Sequence, residues 1–170
     1  WQSGKGFIYD LNTLELRDEF SITGEGWGLT NDGQQLIMSN GSDRLIFLDP
    51  NSLKPTGELL VNLKGKPQFL LNELEYINGD VWANIWKNDQ ILIIDPSSGK
   101  VKSIVDLSNF SERKRRHDVS NGIAFNEEQN TVYLTGKNWS SIYVIRLDQK
   151  RKINRNLFSR AYTRFGFLLR

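Results

Sequence analysis

Cysteine is absent from the chain. This excludes disulfides and thiolate chemistry, and it says nothing about compartment. There is one histidine, His117, inside the run ERKRRHD. A single imidazole supports neither a zinc site nor a Ser-His-Asp triad, and the run reads as a solvated loop. No apolar stretch approaches the length of a membrane span. A phosphate-binding loop is missing too: the glycines of 24–28, GEGWG, lack the Lys-Ser/Thr of a P-loop and the spacing of a dinucleotide site. The opening WQSGKGFIYD carries no signal-peptide pattern and reads as the middle of a domain, so a further N-terminal part is expected upstream.

What is present suits one soluble domain with a real core: 170 residues, 38% hydrophobic, with five tryptophans. The net charge of +2 hides an asymmetry. Seven of the 22 basic residues follow Asp148 and no acid does, leaving 15 basic against 20 acidic residues in 1–148. A mildly acidic body over 1–148 and a basic tail over 149–170 are therefore expected.

The body is built of short strands and tight turns. One cycle has strands over 26–30, 35–39, 45–48 and 58–61, with Asn31-Asp32-Gly33 as its hairpin signal. The next has strands over 73–77, 80–86, 91–94 and 101–107, with Asn78-Gly79 as the turn. A third follows the charged insertion, with strands over 122–125, 131–135 and 141–147. Strands over 7–10 and 15–22 end an earlier cycle. The repeat is visible in FIYDLNTLEL, IFLDPNSLKP and IIDPSSGKVK, whose aspartates Asp10, Asp49 and Asp95 lie 39 and 46 residues apart. Four short strands at such a period predict an all-β fold, a β-propeller of which this chain covers about three to four blades. The third strands (LIFL, ILII, IYVI) are apolar throughout, as strands covered on both faces must be. A β-sandwich is the competing arrangement.

In a propeller the first strands line the axis, and residues at equivalent strand ends converge at one rim. Glu25 and Trp27 precede one first strand, and Asn72, Glu73 and Glu75 open the next. Asn121 opens the third, while Trp86 and Lys137 close second strands. Indoles with a few amides, a lysine and a carboxylate would suit a small polar substrate with an aliphatic part. Each residue also has a structural reading: Trp27 and Trp82 as core, Asn72 and Asn121 as turn caps, Glu75 as a buried partner, and Lys137 as solvated.

The segments TGEGWGLTNDGQQLIMSNGSDRLIFLDP, LNELEYINGDVWANIW, NGIAFN and LTGKNW, in this order and spacing, closely resemble the glutaminyl-peptide cyclotransferases of the plant and bacterial type. The resemblance runs from Trp1 to about Leu147. It implies a five-bladed propeller that converts the N-terminal Gln of a peptide or protein to pyroglutamate and releases ammonia. It implies Trp1, Trp27 and Trp86 as substrate-binding walls, with Asn72, Lys137 and, more loosely, Glu25 as catalytic residues. The family's acid/base glutamate is expected upstream of Trp1, which leaves Glu25, Glu73 and Glu75 as the carboxylates in reach and the isolated chain weakly active or inactive. The chemistry needs no cofactor, while a structural calcium is expected. The resemblance further implies a secreted, periplasmic or vacuolar monomer, with no nucleic-acid or membrane partner. Two other functions fit the strand plan. One is a calcium-dependent lactonase-like propeller with Asn121 and a rim carboxylate as ligands. The other is a non-catalytic binding propeller whose basic tail meets an anionic partner.

Overall fold

The computed structural model describes residues 1–110 and 118–147. The basic tail over 149–170, most of the charged insertion and His117 lie outside them. The described residues form fifteen strands and no helix. β1 (Lys5–Tyr9) and β2 (Leu16–Ser21) make a two-stranded antiparallel sheet. β3 (Gly28–Asn31), β4 (Leu36–Ser39), β5 (Arg44–Leu48) and β6 (Pro55–Leu60) form a four-stranded meander, the first full blade. A small hairpin follows, β7 (Asn62–Leu63) and β8 (Lys66–Pro67). β9 (Leu71–Ile77), β10 (Asp80–Ile85), β11 (Gln90–Ile94) and β12 (Val101–Asp106) form the second blade. β13 (Ser120–Asn126), β14 (Thr131–Gly136) and β15 (Tyr143–Arg146) form three strands of the third.

The first strands β3, β9 and β13 stand side by side, with β9 in the middle. This is the propeller arrangement, and it explains the apolar third strands. β10 and β11 alternate their side chains between two cores. Val81, Ala83, Ile85, Leu92 and Ile94 pack against Ile37, Leu45 and Val61 of the first blade. Trp82, Ile91 and Ile93 pack against Ile123, Val132, Leu134 and Ile145 of the third. A sandwich would bury one face of each sheet, whereas the middle sheet here buries both. Trp82 is core, as its structural reading had it.

The repeated aspartate is the local device that closes each outer hairpin. Asp10, Asp49 and Asp95 sit just past the third strand, counting β1 as a third strand. Their side chains accept the backbone N–H of Thr13, Ser52 and Ser97 respectively, at 2.7–2.9 Å. Their carbonyls accept the N–H four residues on, at Leu14, Leu53 and Gly99. Those three residues are left-handed, at φ 58°, 57° and 68°. The donors hold the carboxyls below the ordinary range: chiefly the Thr13 N–H for Asp10, the Ser52 N–H for Asp49, and the Ser97 hydroxyl for Asp95, which falls to about 2.

Asn78-Gly79 forms the expected tight hairpin turn, both residues having positive φ. The β7–β8 hairpin was not expected; Lys64 and Gly65 adopt the same pair of positive φ values. Two strand boundaries differ from expectation in a way that concerns function. The strand expected over 26–30 begins at Gly28, and the one expected over 80–86 ends at Ile85. Trp27 and Trp86 thus stand just outside the ladders. The register shifts between Ala83 and Ile85, and a bulge of this kind re-aims the residues that follow it.

Candidate active site

The site begins with a close approach of two first strands. A Cβ on Gly28 would lie 2.2 Å from the carbonyl oxygen of Asn72, so only glycine lets β3 and β9 meet here. The Ser39 hydroxyl completes the junction. It accepts the Gly28 N–H at 2.9 Å and donates to the Asn72 carbonyl at 2.5 Å. Asn72 is thereby buried and fixed at the start of β9.

Trp27 precedes Gly28, and its backbone N–H donates to the Ser39 carbonyl at 2.9 Å. Its ring lies on Gly41, where an added Cβ would come within 2.7 Å of the indole. The indole N–H donates to Glu25 Oε2 at 2.7 Å. Trp86 enters from the second blade. Its N–H donates to the Leu70 carbonyl, the Leu70 N–H donates to the Gly41 carbonyl, and each contact is 2.9 Å. The two indoles meet edge to face across the blade junction, with centroids 5.3 Å apart and planes at 75°. Such a pair contributes about 0.5–1.5 kcal/mol beyond its buried area. The Lys87 ammonium lies over the Trp86 ring, 3.9 Å from its centroid.

The structure therefore brings together Glu25, Trp27, Asn72 and Trp86. Trp1 is mostly exposed, and its carbonyl accepts the Gly26 N–H at 3.3 Å, which places it beside the Glu25–Trp27 segment. Lys137 is exposed at the same rim of the third blade, just past β14, where its N–H donates to the Val119 carbonyl. It holds the position in its blade that Trp86 holds in the second, while the indole pair spans the first and second. Asn40, the counterpart in the first blade, caps a turn by accepting the N–H and hydroxyl of Ser42.

Of the remaining carboxylates, Glu73 faces the third blade and Glu75 lies between the first and the third. Glu75 Oε1 accepts the Phe125 N–H at 2.8 Å, and its Oε2 lies 3.5 Å from the Thr30 hydroxyl of the first blade. Glu73 sits one turn of the pleat nearer the rim. Burial pushes its carboxyl up to about 8, opposed by the Ile123 N–H and reinforced by the charge of Glu75. Its Oε2 and the Asn121 Oδ1 are buried with no hydrogen-bond partner. Calcium takes six to eight oxygens, several of them carboxylate. Among the described residues no three His, Cys, Asp or Glu side chains are grouped to hold a metal ion. The described residues thus offer no such carboxylate group to a calcium ion, and no chemistry below runs through one.

The sequence reading passed over Lys87, Ser39 and Asn84. Asn84 is buried in β10, where its amide accepts the Gly122 N–H at 3.1 Å and donates to the Ser120 hydroxyl at 3.4 Å, joining the second and third blades. Aligning second-strand ends would have found Lys87, because it falls where Gly41 and Asn138 fall.

Comparison with known proteins identifies the family of the chain. The glutamine cyclotransferase family model matches residues 1–147. The chain belongs to the glutamine cyclotransferase family. A glutaminyl-peptide cyclotransferase of Arabidopsis thaliana is 39% identical over 155 residues, covering 88% of this chain and 48% of the relative. The crystal structure of Myxococcus xanthus glutaminyl cyclase superposes with a TM-score of 0.82 at 33% identity, covering 87% of this chain and 66% of that one. The WD40 domain of Toxoplasma gondii coronin superposes at 0.53 with 14% identity, covering 84% of this chain and 37% of that one, a likeness of fold alone. The chain spans about half the length of the Arabidopsis relative.

Proposed function

We propose that this rim binds the N-terminal glutamine of a peptide or protein and holds it folded for cyclisation to pyroglutamate. The observation that carries the reading is the Trp27–Trp86 pair beside the buried Asn72, inside the span that the family model matches.

In the reaction the neutral α-amine attacks the γ-amide carbon of its own side chain, the C–N bond of that amide breaks, and ammonia leaves. Ring closure within one residue is a problem of proximity, and indole walls that keep the side chain bent supply it. To Asn72 and Lys137 we assign the orientation of the amide and the stabilisation of its oxygen as negative charge develops on it. Proton transfer from the amine to the leaving ammonia needs a carboxylate. Glu25 is engaged by the Trp27 indole, Glu75 by the Phe125 N–H, and Glu73 by the Ile123 N–H. We therefore assign substrate holding to this rim and leave the proton carrier unassigned. We further propose action outside the cytosol as a monomer, as the family resemblance implies.

The test is ammonia release from a peptide that begins with Gln, together with binding of that peptide followed by tryptophan fluorescence. Trp86→Ala and Asn72→Ala are expected to weaken binding and to lower turnover at least tenfold. Turnover and binding that both substitutions leave unchanged would overturn the reading.

A further inference from the structure

The second strand of each blade ends on a residue paired with the first strand. β4 ends on Ser39 opposite Gly28, β10 on Ile85 opposite Leu71, and β14 on Gly136 opposite Ser120. Two of these ends need no polar partner: Ile85 packs into the core, and Gly136 has no side chain. The first blade instead buries a hydroxyl completely at this position. A buried hydroxyl is costly unless it is bonded. That of Ser39 is bonded in both senses, and its partners lead to two residues of the site. It accepts the N–H of Gly28, the residue after Trp27, and donates to the Asn72 carbonyl at 2.5 Å. The Ser39 carbonyl accepts the Trp27 N–H.

The ladder of the second blade does not fix Asn72 by itself. Leu71 pairs with Ile85 and Leu74 with Ala83, so Asn72 and Glu73 together stand opposite Asn84. At such a bulge the regular pairing is broken, and other bonds decide how the chain runs. The Ser39 hydroxyl reaches across from the neighbouring blade and supplies one.

We propose that Ser39 is a positioning residue whose hydroxyl sets Asn72 for the substrate amide and ties it to the backbone that carries Trp27. The inference rests on the peptide-cyclising reading above. Removing the hydroxyl leaves a buried carbonyl and a buried N–H without this bond, while the Trp27 N–H keeps its bond to the Ser39 backbone. The loss therefore acts through Asn72.

The test uses the chain of residues 1–170 and an amidated peptide beginning Gln-Ala, with binding read from tryptophan fluorescence where urea titration shows each variant folded. Ser39→Ala is expected to weaken binding about five- to tenfold. Ser39→Cys keeps the size and a weak donor and is expected to fall between Ser39→Ala and the wild type; it takes the place of Ser39→Ala if that variant does not fold. The same substitution is then made in an Asn72→Ala background, where its further effect is expected to shrink to within about twofold. A loss of equal size in both backgrounds shows a merely structural residue and overturns the role of Ser39, as does the absence of any loss; either leaves the functional reading intact. Failure of the wild type to bind the peptide overturns both.

Discussion

Replacing Glu73 by Gln removes a titrating group from the junction of the second and third blades without changing its shape. The Glu73 carboxyl moves from an ordinary value of 4.5 to about 8 because it is buried, with the charge of Glu75 adding to the effect. The folded chain thus holds this proton more tightly than the unfolded chain does. The stabilisation tied to it is complete below pH 4.5 and is lost as the pH rises to about 8, above which the loss is constant. At about 1.4 kcal/mol for each pKa unit, the wild type gives up on the order of 3–5 kcal/mol across that window. Gln keeps an oxygen for the Ile123 N–H and cannot ionise. Urea unfolding of both proteins from about pH 5 to pH 9, followed by tryptophan fluorescence, isolates the term, because titrations at other sites cancel in the difference. The variant's advantage over the wild type should grow steadily with pH and level off near the top of the range. An advantage that stays constant with pH refutes a buried, protonated Glu73. Glu75→Gln should bring the wild-type loss to lower pH, since a neighbouring charge is gone.

Gly28→Ala places a methyl group against the Asn72 carbonyl; it should destabilise the chain by about 1–3 kcal/mol in denaturant and weaken binding of a Gln peptide in the same preparation. Glu25→Gln keeps an acceptor for the Trp27 indole and should retain peptide binding in a fluorescence titration, whereas Glu25→Ala should weaken it several-fold. Asp95→Ala removes the bonds to Ser97; its melting temperature should fall below that of the wild type at neutral pH, and the gap should close as the pH drops through about 2, where the wild-type carboxyl itself takes up a proton. Addition of a strong chelator should leave the melting temperature unchanged, and a fall would assign a metal ion to the protein.

The fold was legible because its signals are local. Asp10, Asp49 and Asp95 each organise a turn within five residues, and Asn78-Gly79 sets a hairpin by backbone preference alone, so sequence spacing exposed the blades. The site was legible in part. Trp27, Trp86 and Asn72 could be placed at one rim from strand counting, and the structure brings them together. What spacing could not reveal were the turns that individual side chains take and the contacts between blades. The bond from Trp27 to Glu25 depends on an indole turned back along its own segment. The Asn84 bridge joins residues 36 and 38 positions apart. Lys87 over Trp86 depends on a left-handed residue for which lysine gives no local signal.

Glu75 has a consequence for how the arc comes apart. Repeated units that touch only their neighbours tend to melt one at a time. Here one carboxylate on the middle unit serves the Phe125 N–H on one side and the Thr30 hydroxyl on the other, and that hydroxyl also accepts the Tyr76 N–H at 3.0 Å. Pulling the middle strand away strands buried polar groups in all three units at once. The three blades should therefore lose order in a single concerted step, and an intermediate with the outer blades intact and the middle one open should not accumulate.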